Sequence, residues 1–415
     1  MDMVLRGGVL IDGTGRDPVD GAVVVIDGER ITAVGGREGT GAARDKGIDL
    51  NGLTILPGLI DLHSHMGVIA MANVEAMSPA MMAAQLFRNS ELCLLSGHTT
   101  AREVAGADGA LREVIETGLI PGPRLFPSGP MLSQSGGHGD HAPQFLNHHH
   151  HFSGLPGLAQ TSEVCDGVEG VRLAAREAFR RGATQLKVCI SGGVISLYDR
   201  LEDTQFTVAE LKAAVEEARA RDTYVTGHAL NVESIRNGLD AGLECFEHGT
   251  FLDEETAVRM VRAGAALVPT MAVIHLLAKE WKEWNVPEAM LPRLQGLEES
   301  TAAAVRIAFE AGVVMGSGTD LIGPEQNRRG LEIALKAGVI GPMASIVSAT
   351  QTSARIIRRS TDLGTIEAGK LADVIAIDGD PLSDPWVFDH PDRVVLVMKG
   401  GRVVKDLRRL AGGVS

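Results

Sequence analysis

From Leu59 onward, short apolar runs alternate with longer stretches whose apolar residues recur every three or four positions. That is the pattern of strands each followed by a helix. LIDLHSH, GHTTAREV (97–104), RLFPSG (124–129), ATQLKVCI, TYVTGH (223–228), LECFEH (243–248), AALVPT (265–270) and VVMGSGTD (313–320) read as strands. Helical periodicity covers residues 73–96 and 166–181, then TVAELKAAVEEARARD, where Thr207 and Glu210 form a capping box. NVESIRNGLDAG follows, capped by Asn231, then DEETAVRMVRAG and a long helical region reaching Glu310. Two more helices are predicted at about 325–337 and 342–358. Roughly eight strand–helix units predict an α/β fold, a (β/α)8 TIM barrel. A doubly wound sheet is the alternative, but it would invite a Gly-rich nucleotide loop after its first strand, and LIDLHSHMG is not one.

The ends differ from the middle. MVLRGGVLIDG, GAVVVIDGERITAVGG, LADVIAIDGDP and RVVLVMKGGRVVKD are β-branched runs broken by glycine, which reads as antiparallel strands with tight turns. They predict one small β-sandwich domain built from residues 1–57 with 362–415, flanking a barrel over 58–361. Two unrelated terminal hairpins are the alternative. SQSGGHGDHAPQFLNHHHHFSGLPG lacks periodicity and reads as a loop.

Composition narrows the classes. The chain has 415 residues, 44% of them hydrophobic, enough for a large domain plus a smaller one. A net charge of -14 and the lack of a basic stripe argue against nucleic acid as a partner. MDMVLRGGVLID shows no cationic head before a long apolar run, and no run of 18 apolar residues suggests a membrane span. A cytoplasmic enzyme is expected. The four cysteines, Cys93, Cys165, Cys189 and Cys245, form no CxxC and read as buried free thiols. An oxidising compartment stays open.

Chemistry in a barrel sits where the strands end. Here the strand ends carry His63-x-His65, His228, His248 and Asp320. His63 and His65 are two apart and share one face of an extended segment, as a divalent metal requires. Each histidine alone is equally a hydrogen-bonded core residue; together with Asp320 they make a metal site. Lys187 lies between Leu186 and Val188, where an ammonium is costly unless paired or modified. A barrel edge from which the side chain reaches solvent is the alternative.

These motifs resemble the amidohydrolase superfamily of metal-dependent hydrolases over nearly the whole chain. PGLIDLHSH resembles its first-strand signature, HAL…AGLECFEHGT its fifth- and sixth-strand pair, GSGTD its last strand, and GTIEAGKLADVIAIDGDP the return into the β domain. The resemblance implies His63, His65, His228, His248 and Asp320 as ligands of two divalent metals, Zn2+ being expected. It implies a CO2-derived carboxylate on Lys187 as the bridge between them, and Asp320 as proton acceptor. Deaminases of the superfamily usually lack that lysine.

Within the superfamily, SGGHGD, LKVCISGGV, DTQFT and FEHGTFLD resemble the prolidase-like group, which hydrolyses Xaa-Pro and Xaa-Arg/Lys dipeptides and N-acyl amino acids, with relatives acting on ochratoxin-type amides. That implies a small-molecule substrate cleaved by a metal-activated hydroxide. His138 would approach the substrate in a catalytic or binding role; a solvent loop is the alternative. The chain departs from the group's HAY at Leu230, which makes the pocket more apolar and leaves an ester, carbamate, lactone or phosphotriester as the alternative substrate. Arg328 and Arg329 are candidates for a substrate carboxylate or a solvated helix end. Trp281 and Trp284 suit a lid, a contact between copies of a homo-oligomer, or core packing. The run His148–His151 reads as a surface feature or an adventitious metal binder.

Overall fold

A computed structural model describes residues 3–36, 47–69, 77–145, 155–196, 198–284, 288–323 and 326–411. The run His148–His151 lies outside the described residues. The chain divides into two compact units, one of residues 1–61, 91–100 and 327–415, the other of 62–90 and 101–326.

The second unit is built on a parallel sheet. Its strand order is Ser162–Val164, Met131–Ser133, Leu186–Cys189, Val225–Ala229, Cys245–His248, Ala266–Val268, Val314–Met315. Strands Arg124–Pro127, His98–Glu103 and Leu59–Ser64 form a further three-stranded sheet in that order. Backbone bonds run from Leu62 N to Ser317 O and from Asp320 N to His63 O, both 2.8 Å, and from Thr184 N to Pro127 O at 2.7 Å. They tie the edges of the three-stranded sheet to the last strand's exit and to the lysine strand's entry. Every residue of Leu186–Cys189, Val225–Ala229 and Cys245–His248 is buried, as strands covered on both faces must be.

The helices follow their local chemistry. Gly167–Arg180, Val208–Arg219, Val232–Ala241 and Glu254–Ala263 form where the periodicity predicts. Thr207 and Glu210 make the expected capping box, and Asn231 accepts from Ser234 N. The first helix is described over Pro79–Leu95; residues 73–76 of its predicted span lie outside the described residues. The expected long helix toward Glu310 is corrected to separate helices, Met271–Lys279, Leu291–Leu294 and Leu297–Ala311; Pro292 sits in the first turn of the middle one, where proline is tolerated, and left-handed Gly296 separates it from the last. The described part of the Gly/His-rich stretch is a loop, as expected, but two short strands beside it, Met131–Ser133 and Ser162–Val164, are too brief for alternation to mark.

The first unit holds two mixed sheets. One runs Arg30–Gly35, Val23–Asp27, Met3–Arg6, Ile48–Asp49; the other Arg402–Asp406, Val394–Lys399, Val374–Ile377, Thr54–Pro57, Val9–Leu10, Val19–Asp20. Leu5, Val24, Ile26 and Ile31 from one cluster with Ile55, Val374, Leu396 and Met398 from the other. Thus strands from both ends of the chain share one core. The unit also buries an ion pair: Arg329 Nη1 lies 2.5 Å from Asp61 Oδ2, both side chains fully buried. A solvated helix end at Arg329 is therefore wrong. Its partner lies 268 residues earlier in the chain, so local sequence gives no sign of it.

Removing one member of such a pair strands the other charge, at a cost of about 3–5 kcal/mol. Arg329→Met alone should lower the urea midpoint strongly, and Asp61→Leu with Arg329→Met should recover most of the loss. Equal midpoints for the single and double variants would show that the pair is not coupled.

Candidate metal centre

The geometry of the histidines decides where their protons sit. His63 Nδ1 is 2.7 Å from Glu247 Oε2. An ionised carboxylate only accepts, so Nδ1 carries the proton and Nε2 keeps its lone pair. His65 Nδ1 lies 3.2 Å from the Ala105 carbonyl oxygen, which likewise assigns the proton to Nδ1. The two Nε2 atoms face each other at 3.1 Å. Asp320 Oδ1 closes the group, 2.9 Å from His65 Nε2 and 3.4 Å from His63 Nε2. Three lone pairs converging in a buried place repel one another unless a cation sits among them. His63, His65 and Asp320 form a metal-binding cluster.

A second pair faces it. His228 Nε2 donates to the Gly192 carbonyl at 3.1 Å, leaving the Nδ1 lone pair 2.8 Å from His248 Nε2. His248 Nδ1 is 2.7 Å from Thr270 Oγ1. The His248 ring lies 4.9 Å from that of His63, and its Nδ1 is 3.9 Å from Asp320 Oδ2. Burial, with neighbouring imidazoles adding to it, holds His228 and His248 well below the usual histidine range. Both therefore stay in the neutral form that can ligate a metal.

Two backbone features aim these groups. His248 and Asp320 have φ of +68° and +58°, a left-handed conformation disfavoured for residues with a Cβ. In a regular strand, neighbours point to opposite faces; at His248 the reversal lets both Glu247 and His248 approach His63. Close packing does the rest. A Cβ at position 318 would lie 2.6 Å from His63 Cβ, so only glycine lets the GSGTD segment pass beside the first strand.

Lys187 lies on Leu186–Cys189 and is 2% exposed. Burial lowers its pKa, and the charges of Glu247 and Asp320 act against that. The solvent-edge alternative for Lys187 is excluded by its burial. His138 stacks on His228 at 4.1 Å with the rings 15° apart, and burial pushes its pKa down to about 3. Leu230 is buried in an apolar cluster with Val194, Val273, Ile274, Leu294 and Leu297, against which Trp281 and Trp284 pack. For the two tryptophans this is the core-packing alternative. Arg328 is not free: its Nε and Nη2 lie 3.1 and 2.7 Å from the Asp389 carboxylate.

Sequence reasoning missed the residues behind the ligands. Glu247 and Arg102 are both fully buried, with Arg102 Nη2 2.5 Å from Glu247 Oε1. Arg102 Nε also donates to Leu62 O at 2.6 Å, and Thr226 Oγ1 donates to Glu247. Burial opposes ionisation of Glu247, but Arg102 and His63 outweigh it and hold the carboxyl well below the usual range. The sign was present: Glu247 in LECFEH and Arg102 in GHTTAREV are charges inside apolar strands, as Lys187 is.

A parallel α/β sheet with a metal-binding cluster at its strand ends defines the class, a catalytic hydrolase of the amidohydrolase fold. The model of the amidohydrolase family matches residues 54–404, and the chain belongs to that family. It is 33% identical to ochratoxinase of Aspergillus niger over 97% of this chain and 86% of that protein. It is similar to a crystal structure of a prolidase complexed with N-methylphosphonate-L-proline, with a TM-score of 0.92, 36% identity, and coverage of 98% and 100% of the two chains. A Xaa-Pro dipeptidase with methionine bound in its active site gives a TM-score of 0.87, 30% identity, and coverage of 98% and 100%. No helix among the described residues is long and apolar enough to cross a membrane.

Glu247→Gln keeps the shape but removes the charge that orients His63. Metal affinity should fall about 10-fold to 100-fold, read by chelator competition on the purified protein. Unchanged affinity would show that the Glu247 contact does not set the His63 ligand.

Proposed function

We propose that this protein is a binuclear metal-dependent amide hydrolase acting on dipeptides or N-acyl amino acids. The observation that carries the reading is the pair of facing imidazole couples, His63/His65 and His228/His248, with Asp320 in reach of both. Each couple brings two imidazole nitrogens to one place, a donor set that suits two divalent cations, Zn2+ being our choice from its nitrogen-rich character. When bound, such ions supply Lewis acidity and lower the pKa of a shared water.

The remaining roles fall to the chain. Burial favours the neutral amine of Lys187, the form whose lone pair attacks CO2. An N–C bond forms as one C–O π bond of CO2 opens, the proton lost from the nitrogen passes to solvent, and the resulting carbamate anion would offer oxygen donors to the cations. Asp320, whose Oδ2 lies on the side of His248, receives a proton from water and returns it to the leaving amine. His138, stacked over His228, lines the same site. The scaffold in this reading is a distorted (β/α)8 barrel over 58–361 with a composite β-sandwich domain from 1–57 and 362–415. A homo-oligomer and a cytoplasmic location belong to the same proposal.

The substrate class draws support from relatives. One is a prolidase with a proline phosphonate bound, and another is named for ochratoxin. Leu230 and its apolar cluster favour substrates with a bulky apolar part. The same cluster supports a second reading, an apolar ester, carbamate, lactone or phosphotriester. Arg328, held by Asp389, is a weaker candidate for a substrate carboxylate than the sequence suggests.

Two measurements test the proposal. Metal analysis of Lys187→Ala should show loss of at least one ion per chain, and two ions at unchanged affinity would sink the bridging role. A hydrolysis screen over Xaa-Pro, Xaa-Arg/Lys and N-acyl aromatic amino acids, with esters and phosphotriesters alongside, should show activity on amides first; silence on every amide would overturn the amide reading.

A further inference from the structure

Two buried amides tie together the segments that carry the metal cluster. One segment leaves His65 through Met66 and Gly67; the other leaves Asp320 and reaches Gly323. Asn89, on the helix Pro79–Leu95, donates through Nδ2 to Met66 O at 3.0 Å and to Gly323 O at 3.1 Å. Gln326 donates through Nε2 to His65 O at 2.9 Å and to Gly323 O at 3.1 Å. Each amide therefore makes one bond to either segment. Asn89 and Gln326 are both 0% exposed. Beside them, Gly323 N donates directly to Val68 O at 2.8 Å. Glu103, equally buried, accepts from Met66 N at 2.8 Å and holds the first segment from its other side.

The direction of these bonds is forced. A peptide carbonyl only accepts, so each amide must turn its nitrogen, not its oxygen, toward the two segments. Asn89 Oδ1 in turn accepts from Gln85 Nε2 at 3.0 Å, four residues earlier on the same helix. A carboxamide carries two N–H groups, which matches the two carbonyls that each amide reaches. Gly323 O accepts once from each amide, which fills its two lone pairs. Parting the segments would break these bonds and leave buried carbonyls unsatisfied, a costly outcome.

The cluster itself resists assembly. His63 Nε2, His65 Nε2 and Asp320 Oδ1 stand 3.1, 2.9 and 3.4 Å from one another. Electron-rich atoms this close repel until a cation joins them. A cation that had to draw the segments together would spend part of its binding free energy on that work; segments held at ligating distance beforehand spare it.

We propose that Asn89 and Gln326 are positioning residues that preorganise the His63/His65/Asp320 cluster by cross-linking its two segments through Gly323 O. The inference goes beyond the amide-hydrolase reading and does not rest on it, because it concerns metal binding whatever bond the enzyme cleaves.

Asn89→Leu and Gln326→Met remove the donors with little change of volume. Each should lower the Zn2+ affinity of the full chain about 10-fold to 100-fold, read by chelator competition. The urea midpoint of the metal-stripped chain, measured on the same variants, separates positioning from mere support. Ser345→Ala, which removes a buried hydroxyl bond to Ile333 O in the other unit, is the control for destabilisation and should leave the affinity unchanged. Unchanged affinity in Asn89→Leu and Gln326→Met beside a lowered midpoint would overturn the proposal, as would an equal loss of affinity in Ser345→Ala. Should the two variants fail to fold, Gln85→Ala decides: it only releases the oxygen of Asn89, and a loss of affinity of about threefold to tenfold is expected, whereas no loss would overturn the brace. Silence in the hydrolysis screen would sink the amide reading and leave this result standing.

Discussion

A fully buried carboxylate, Glu247, is shared between the guanidinium of Arg102 and the imidazole of His63, and four strands meet there. Arg102 comes from His98–Glu103, His63 from Leu59–Ser64, and Thr226, which also donates to Glu247, from Val225–Ala229. An ion taken out of water at this depth is tolerable only when partners surround it. Glu247 has them on every side, and in return it fixes which nitrogen of His63 bears a proton. The metal-facing lone pair of the first ligand is therefore set by charges buried one layer deeper.

The same logic recurs around the site. Ala105 O sets His65 and Gly192 O sets His228. In each case an acceptor on one ring nitrogen leaves the other free toward the centre. Tautomer choice is thus distributed over loops that follow several strands. Local strain contributes as well: His248 and Asp320 adopt left-handed backbone, which costs of order 1–3 kcal/mol each and persists only where the surroundings enforce it. At both positions the unusual φ aims a donor atom at the cluster.

Much of this was legible in the chain. The alternation of strand and helix signals placed most of the strands and helices of the 62–326 unit, but not the helix Gly109–Glu116. Thr207 and Glu210 predicted a capping box that is present. What escaped were features with no local signature. The strands Met131–Ser133 and Ser162–Val164 are three residues each, too short for periodicity to report. The partner of Arg329 is Asp61, far away in sequence. Arg328 and the two tryptophans were open questions because exposure depends on neighbours the sequence does not order.

By itself the sequence determined the candidate chemistry. A charged or ligating residue at the end of an apolar strand is conspicuous, because burial forbids it unless it is matched, and His63, His65, Lys187, His228, His248 and Asp320 all stood out that way. Only the tertiary structure decided how those residues are poised. Which nitrogen is protonated, which carboxylate is ionised and which arginine is already engaged are set by contacts between segments up to hundreds of residues apart. Such contacts depend on distances of a few tenths of an ångström, and a linear pattern of apolar and polar positions carries no information at that scale.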